Sequence, residues 1–138
     1  MKRTADAIWK GSGKEGKGTL TTQSKTLNNT QYSYKSRFEE GVGTNPEELV
    51  AAAHAGCFAM ALSFQLQGMG ITPESLDVNA VITLDPPTGS ITSSALTLKA
   101  KIPGVTQEQF VKAYEAAKTG CPISKLLKTN ITLEATLL

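Results

Sequence analysis

The apolar run from Leu49 to Leu66 constrains this chain more than any other feature. Its start is marked by local chemistry. Asn45 is an N-cap residue, Pro46 suits the first helical position, and Glu48 stands at the capping-box position three residues after Asn45. Gly68 and Gly70 supply the stop. The spacing predicts one helix from about residue 46 to residue 68 or 70. Its apolar residues go almost all the way round, so it needs burial on every side rather than along one stripe. The run reaches the bottom of the length range for a membrane span. It is interrupted by His54, Gly56, Ser63 and Gln65, however, and the expectation is a core helix with no membrane partner.

What surrounds that helix reads as short strands and two further helical pieces. Residues 7–36 read as strands with turn punctuation: Thr19 to Thr22 is rich in β-branched residues, Asn28-Asn29 marks a turn, and Tyr32 to Lys35 alternates. Gly11, Gly13 and Gly16 have G-x-G-x-x-G spacing, but no helix follows them, so a dinucleotide site is not expected. Pro73-Glu74-Ser75 reads as a turn or short helical piece. Leu76 to Leu84 and Ile91 to Ile102 read as two long strands joined by Asp85-Pro86-Pro87-Thr88-Gly89. Thr106 and Gln109 form the capping pair of a second helix that Gly120 ends, Pro122 opens a helical turn, and Asn130 to Leu137 is a last strand. The order β-β-β-α-β-β-α-β predicts a single α+β domain over residues 1–138. Its sheet is mainly antiparallel and wraps the central helix.

Charge excludes some functions. Fourteen Lys and Arg against 12 Asp and Glu give a net +2. The basic residues of the first 40 positions are scattered rather than striped, so no nucleic-acid partner is expected. Met1-Lys2-Arg3 is followed by no apolar segment of signal-peptide length, which makes the cytoplasm the expected compartment.

Two cysteines carry the chemistry. Cys57 lies within the apolar helix between Gly56 and Phe58. Cys121 lies between the glycine that ends one helix and the proline that opens the next. Buried inert thiols are one reading, and a redox pair is another. A thiol at the head of a helix is favoured as thiolate by unsatisfied N–H groups. A third reading is a metal site from His54, Cys57 and Cys121, although neither C-x-x-C nor H-E-x-x-H spacing is present. A hydrogen-bonded core histidine is the simpler account of His54.

The stretch Gly43-Thr44-Asn45-Pro46-Glu47-Glu48-Leu49-Val50-Ala51-Ala52-Ala53-His54-Ala55-Gly56-Cys57-Phe58-Ala59-Met60-Ala61-Leu62 resembles the signature of the OsmC/Ohr family of osmotically inducible and organic hydroperoxide resistance proteins. Gly120-Cys121-Pro122-Ile123-Ser124-Lys125-Leu126-Leu127 resembles that family's second cysteine motif. Tyr34-Lys35-Ser36-Arg37-Phe38-Glu39 puts Arg37 at the arginine of the OsmC branch.

The resemblance implies a thiol peroxidase with no metal or bound cofactor, acting on organic hydroperoxides and reduced by a lipoyl-type dithiol. It implies that Cys57 attacks the peroxide and becomes a sulfenic acid, which Cys121 resolves as a disulfide. Arg37 would be the cation beside the Cys57 thiolate, and Glu47 would orient Arg37 by a charge-assisted bond. The plainer accounts are a surface arginine on a strand and an acid placed favourably at a helix N-terminus. Glu48 is explained by the capping box. Phe38, Phe58, Met60 and Phe64 could form an apolar mouth, or could simply pack in the core. The competing class is a binding or structural protein that keeps the fold without the chemistry, and a zinc hydrolase is a weaker third.

Helix geometry adds an assembly. Glu47 and Cys57, ten residues apart, are separated by roughly 15 Å along a continuous helix. An antiparallel copy of the helix about a two-fold axis would bring the partner's Glu47 towards Cys57, and Ala51, Ala52, Ala53, Ala55, Gly56 and Ala59 would allow close packing. An intertwined homodimer with shared sites is therefore expected.

Overall fold

A computed structural model describes all 138 residues as six strands and four helices. They fall into two compact units, Met1–Leu49 and Val50–Leu138.

The first unit is an antiparallel sheet of β1 (Ala5–Lys10), β2 (Lys17–Thr22) and β3 (Thr30–Ser33), followed by helix α1 (Tyr34–Phe38). The expected extension of the third strand through Lys35 fails. Ser33 and Ser36 cap each other's backbone reciprocally, which starts a helix where side-chain alternation alone reads as strand. Arg37 therefore stands on a helix. The glycine-rich connection from β1 to β2 leads into a strand and not into a helix. The Trp9 indole donates to the carbonyls of Gly11 and Ser12 at 3.1 and 3.3 Å, and a Cβ on Gly16 would meet Ser12, Lys10 and Trp9 atoms within 2.8 Å.

Helix α2 (Pro46–Gly68) starts in the first unit and continues into the second. Asn45 caps it as expected, its Oδ1 accepting from the Glu48 amide at 2.9 Å. The Glu48 carboxylate does not close the box. It accepts from the Thr44 hydroxyl instead.

The second unit contains β4 (Ser75–Asp85), β5 (Ser90–Lys101), α3 (Gln107–Gly120), α4 (Pro122–Leu126) and β6 (Asn130–Leu137). The hairpin of β4 and β5 is antiparallel, while β6 joins β5 in parallel because the chain crosses over through α3 and α4. The capping box of Thr106 and Gln109 forms as read from sequence. Pro73-Glu74-Ser75 is no helix: it leads directly into β4, the Glu74 amide donating to Lys101 O at 2.8 Å.

Phe58, Leu62 and Leu66 of α2 enter the core with Leu96, Leu98, Phe110, Ala113 and Ala117. Full burial of α2 is not seen in a single chain. His54, Phe58, Leu62 and Leu66 form its one buried stripe, at four-residue spacing, while Ala52, Ala53, Gly56, Met60 and Phe64 are exposed. By length and composition α2 is the one helix that could cross a membrane. Its buried stripe is committed to this protein core.

Candidate active site

In the first unit the arginine site is built from short-range contacts. The Ser36 hydroxyl donates to Thr44 O at 2.8 Å, and Asn45 Nδ2 donates to Ser36 O at 3.1 Å. These bonds hold α1 against the start of α2. Gly41 and Gly43 make the intervening turn possible. A Cβ on Gly41 would lie 2.9 Å from the Ser36 amide, and Gly43 has φ +114° with its would-be Cβ 2.2 Å from Gln31 O. Arg37 consequently forks onto Glu47: Nη2 donates to Oε1 at 2.7 Å, and Nε to Oε1 and Oε2 at 3.0 and 3.2 Å. The hydrogen bond to Glu47 raises the Arg37 pKa further, outweighing burial, so the charge is permanent. The Phe38 ring lies 5.0 Å from the guanidinium, and both line a cleft of about 220 Å³ with Trp9, Tyr32, Tyr34 and Pro46.

In the second unit the two thiols meet. Cys57 is half-buried and Cys121 fully buried, both as free thiols. The Cys121 amide closes α3 on Ala117 O at 2.9 Å, and its carbonyl accepts the first bond of α4 from Lys125 at 3.1 Å. One residue thus ends one helix and begins the next. That junction brings the Cys121 thiol near enough to Cys57 to act on its ionisation. Burial pushes the Cys57 pKa up, and the neighbouring Cys121 thiol adds to this by favouring the protonated form. The Ile123 backbone acts in the opposite direction and favours the thiolate. The last short helix thus acts on Cys57, through its Ile123 backbone.

Beside Cys57 opens a cleft of about 380 Å³ lined by Met60, Ala61, Phe64, Gln65, Ala116, Gly120 and Pro122. The expected apolar mouth divides. Met60 and Phe64 line this cleft, Phe58 is core, and Phe38 belongs to the arginine cleft.

His54 is wholly buried between two serines. Nδ1 lies 2.6 Å from Ser94 Oγ on β5, and Nε2 lies 2.8 Å from Ser124 Oγ on α4. A neutral imidazole offers one donor and one acceptor, and a hydroxyl serves as either, so both nitrogens are satisfied. The metal reading loses its histidine, since no ring nitrogen is left for an ion. No group of three or more His, Cys, Asp and Glu side chains is arranged to hold one. Neither serine was legible as a partner: Ser94 and Ser124 lie 40 and 70 residues from His54.

An α+β protein with paired free thiols at an apolar cleft falls in the class of two-cysteine thiol proteins. Comparison with known proteins makes the assignment specific. The family described as OsmC-like protein matches residues 39–136, and the chain belongs to it. It is 45% identical over 134 residues to the peroxiredoxin OsmC of Escherichia coli K12, an alignment that covers 96% of this chain and 94% of that protein. It is 32% identical over 94 residues to an organic hydroperoxide resistance protein-like protein of Staphylococcus saprophyticus, with 67% of each chain covered. Among solved structures, an OsmC-like protein of unknown function from Vibrio cholerae shares the fold with a TM-score of 0.77 at 19% identity, 99% of each chain being covered. An organic hydroperoxide resistance protein of Elizabethkingia anophelis superposes with a TM-score of 0.68 at 26% identity, over 97% of this chain and 94% of that one.

Proposed function

We propose that this protein is a thiol peroxidase that reduces organic hydroperoxides to alcohols, with Cys57 as the attacking and Cys121 as the resolving thiol. The observation that carries this reading is the nearness of the two free thiols beside an apolar cleft. Relatives named peroxiredoxin OsmC and organic hydroperoxide resistance protein support it.

The Cys57 thiolate attacks the distal oxygen of ROOH. An S–O bond forms, the O–O bond breaks, and the departing alkoxide takes a proton to become the alcohol. Cys121 then attacks the sulfenic sulfur, forming the disulfide and releasing water. An external dithiol, of lipoyl type, returns both thiols by exchange and leaves oxidised. No metal or bound cofactor enters the cycle.

Since burial disfavours the Cys57 thiolate, a cation is needed to restore it. Arg37 is that cation, with Glu47 holding its fork so that one guanidinium edge stays free for a thiolate or peroxide oxygen. In our reading the chain is one OsmC-like domain and works as a cytoplasmic homodimer, away from membranes and nucleic acid. The exposed small-residue face of α2 supports pairing with a second copy. In such a pair the partner's α2, running antiparallel, brings its own Arg37–Glu47 pair towards Cys57.

The test is a dithiol-coupled assay with an alkyl hydroperoxide beside hydrogen peroxide. Turnover is expected to favour the alkyl substrate and to vanish in Cys57→Ser. Cys121→Ser should react once and leave a trappable sulfenic acid. Normal turnover in Cys57→Ser overturns the assignment of Cys57, whereas no turnover and no peroxide-dependent disulfide in the unmodified protein would leave a binding or structural role for the fold.

A further inference from the structure

Helix α4 has only five residues, and Cys121 at its N-cap makes no side-chain capping bond. Such a short helix has little stability of its own. Yet the turn carries both groups that act on Cys57: the Cys121 thiol and the Ile123 backbone. Something outside the turn must hold it, and one polar anchor is visible. Ser124, next to Ile123, is nearly buried and bonds to His54 Nε2, while His54 Nδ1 bonds to Ser94 in the middle strand of the sheet.

His54 also stands three residues before Cys57 on α2, one turn along the same helix. The chain of bonds therefore fixes α4 to the very helix that carries the attacking cysteine. Apolar side chains could fill this volume as well, and burying three polar groups costs free energy unless every one is bonded. All three are bonded, and unlike apolar contact their geometry is directional.

We propose that His54 and Ser124 are positioning residues for the resolving step: the Ser94–His54–Ser124 chain holds α4 so that Cys121 stays within reach of the oxidised Cys57. The proposal rests on the peroxidase reading above. Resolution converts Cys57–SOH and Cys121–SH into a disulfide and water, with no further oxidant, and demands narrow geometry between the two Cβ atoms. If the turn is released, the effective concentration of the Cys121 thiol falls. The sulfenic acid then lives longer and meets a second peroxide, which oxidises it irreversibly to sulfinic acid.

The experiment follows single turnovers with an alkyl hydroperoxide by quenched mass spectrometry, which separates sulfenic acid, disulfide and sulfinic acid. Ser124→Ala should slow disulfide formation at least about tenfold, and sulfenic acid formation by much less. Excess peroxide should then raise its sulfinic fraction. Ser124→Thr, which keeps the hydroxyl, should restore the disulfide rate. Leu96→Val, a core trim on β5 outside the chain of bonds, controls for stability and should resolve at the normal rate. Should Ser124→Ala not fold, His54→Gln is read in the same way and should also be slow to resolve. A disulfide rate within about twofold of the unmodified protein in the folded variant, or equal slowing in Leu96→Val, overturns the proposal. Absence of any sulfenic acid on Cys57 in Cys121→Ser is a different failure, that of the peroxidase reading itself.

Discussion

Replacing Arg37 by Met tests how a buried thiol becomes a nucleophile. An ordinary thiol with pKa about 8.5 is about 3% thiolate at pH 7. Burial and the nearby Cys121 thiol hold Cys57 above its ordinary range, with the Ile123 backbone as the opposing influence, so the thiolate fraction without a cation is smaller still. A guanidinium at close range lowers such a pKa by about one to three units, which raises the thiolate about tenfold per unit until the group is mostly ionised. Nucleophilicity falls with pKa, at a Brønsted slope of about 0.4–0.5, so the net gain in rate at pH 7 is about threefold for each unit up to that point. Sulfenic acid formation in a Cys121→Ser background, followed from about pH 5 to 10, should give a midpoint at least about one unit higher in Arg37→Met. Arg37→Met also orphans Glu47, whose side chain is only 14% exposed, so Glu47→Gln is added to separate that cost from the lost charge. Coincident midpoints with and without Arg37 would refute the reasoning. Assembly can be read in the same assay. Co-refolded Cys57→Ser and Glu47→Ala should recover part of the activity if the site is shared between copies. No recovery in demonstrated mixed dimers would confine Glu47 to its own chain.

His54 is the only histidine, and its burial lowers its pKa. As pH falls below about 6.5 the unfolded chain takes up a proton that the native state refuses. Stability should therefore drop by up to about 1.4 kcal/mol per pH unit until the lowered native pKa is passed. Urea unfolding of the protein beside His54→Gln isolates this component, and equal slopes would remove it. Phe64 lines the cleft beside Cys57, so Phe64→Ala should lower kcat/KM for a bulky hydroperoxide about tenfold, on the order of two CH₂ contacts at about 0.8 kcal/mol each. An equal fall with hydrogen peroxide would sink the cleft as the determinant. In the first unit, a Cβ on Gly18 would lie 2.4 Å from the Tyr32 ring and 2.7 Å from Trp9. Gly18→Ala should then cost about 1–3 kcal/mol in thermal unfolding, and an unchanged Tm would show that the aromatic pair yields freely.

Much of the fold was legible because its signals are local. Asn45 and Pro46 start α2, Thr106 and Gln109 start α3, and Pro122 opens α4, each through bonds spanning three or four residues. The two cysteines and the segments around them were equally plain, and the family assignment follows from them. Where local signals competed, the sequence was misread. The Ser33–Ser36 cap converts an alternating segment into α1, and Glu48 turns to Thr44 rather than to the helix it begins.

What the sequence by itself determined was where helices start, which residues are reactive and which family motifs they form. Only the tertiary structure decided which groups meet. It brought Cys121 and the Ile123 backbone near Cys57, closed the fork of Arg37 on Glu47, and set His54 between Ser94 and Ser124. It also chose which stripe of an almost uniformly apolar helix is buried. The reason is physical. A cap is fixed by a few neighbouring dihedral angles, so its residues carry their own signal. A contact across 40 or 70 residues exists only after the core has packed, and no short segment encodes it.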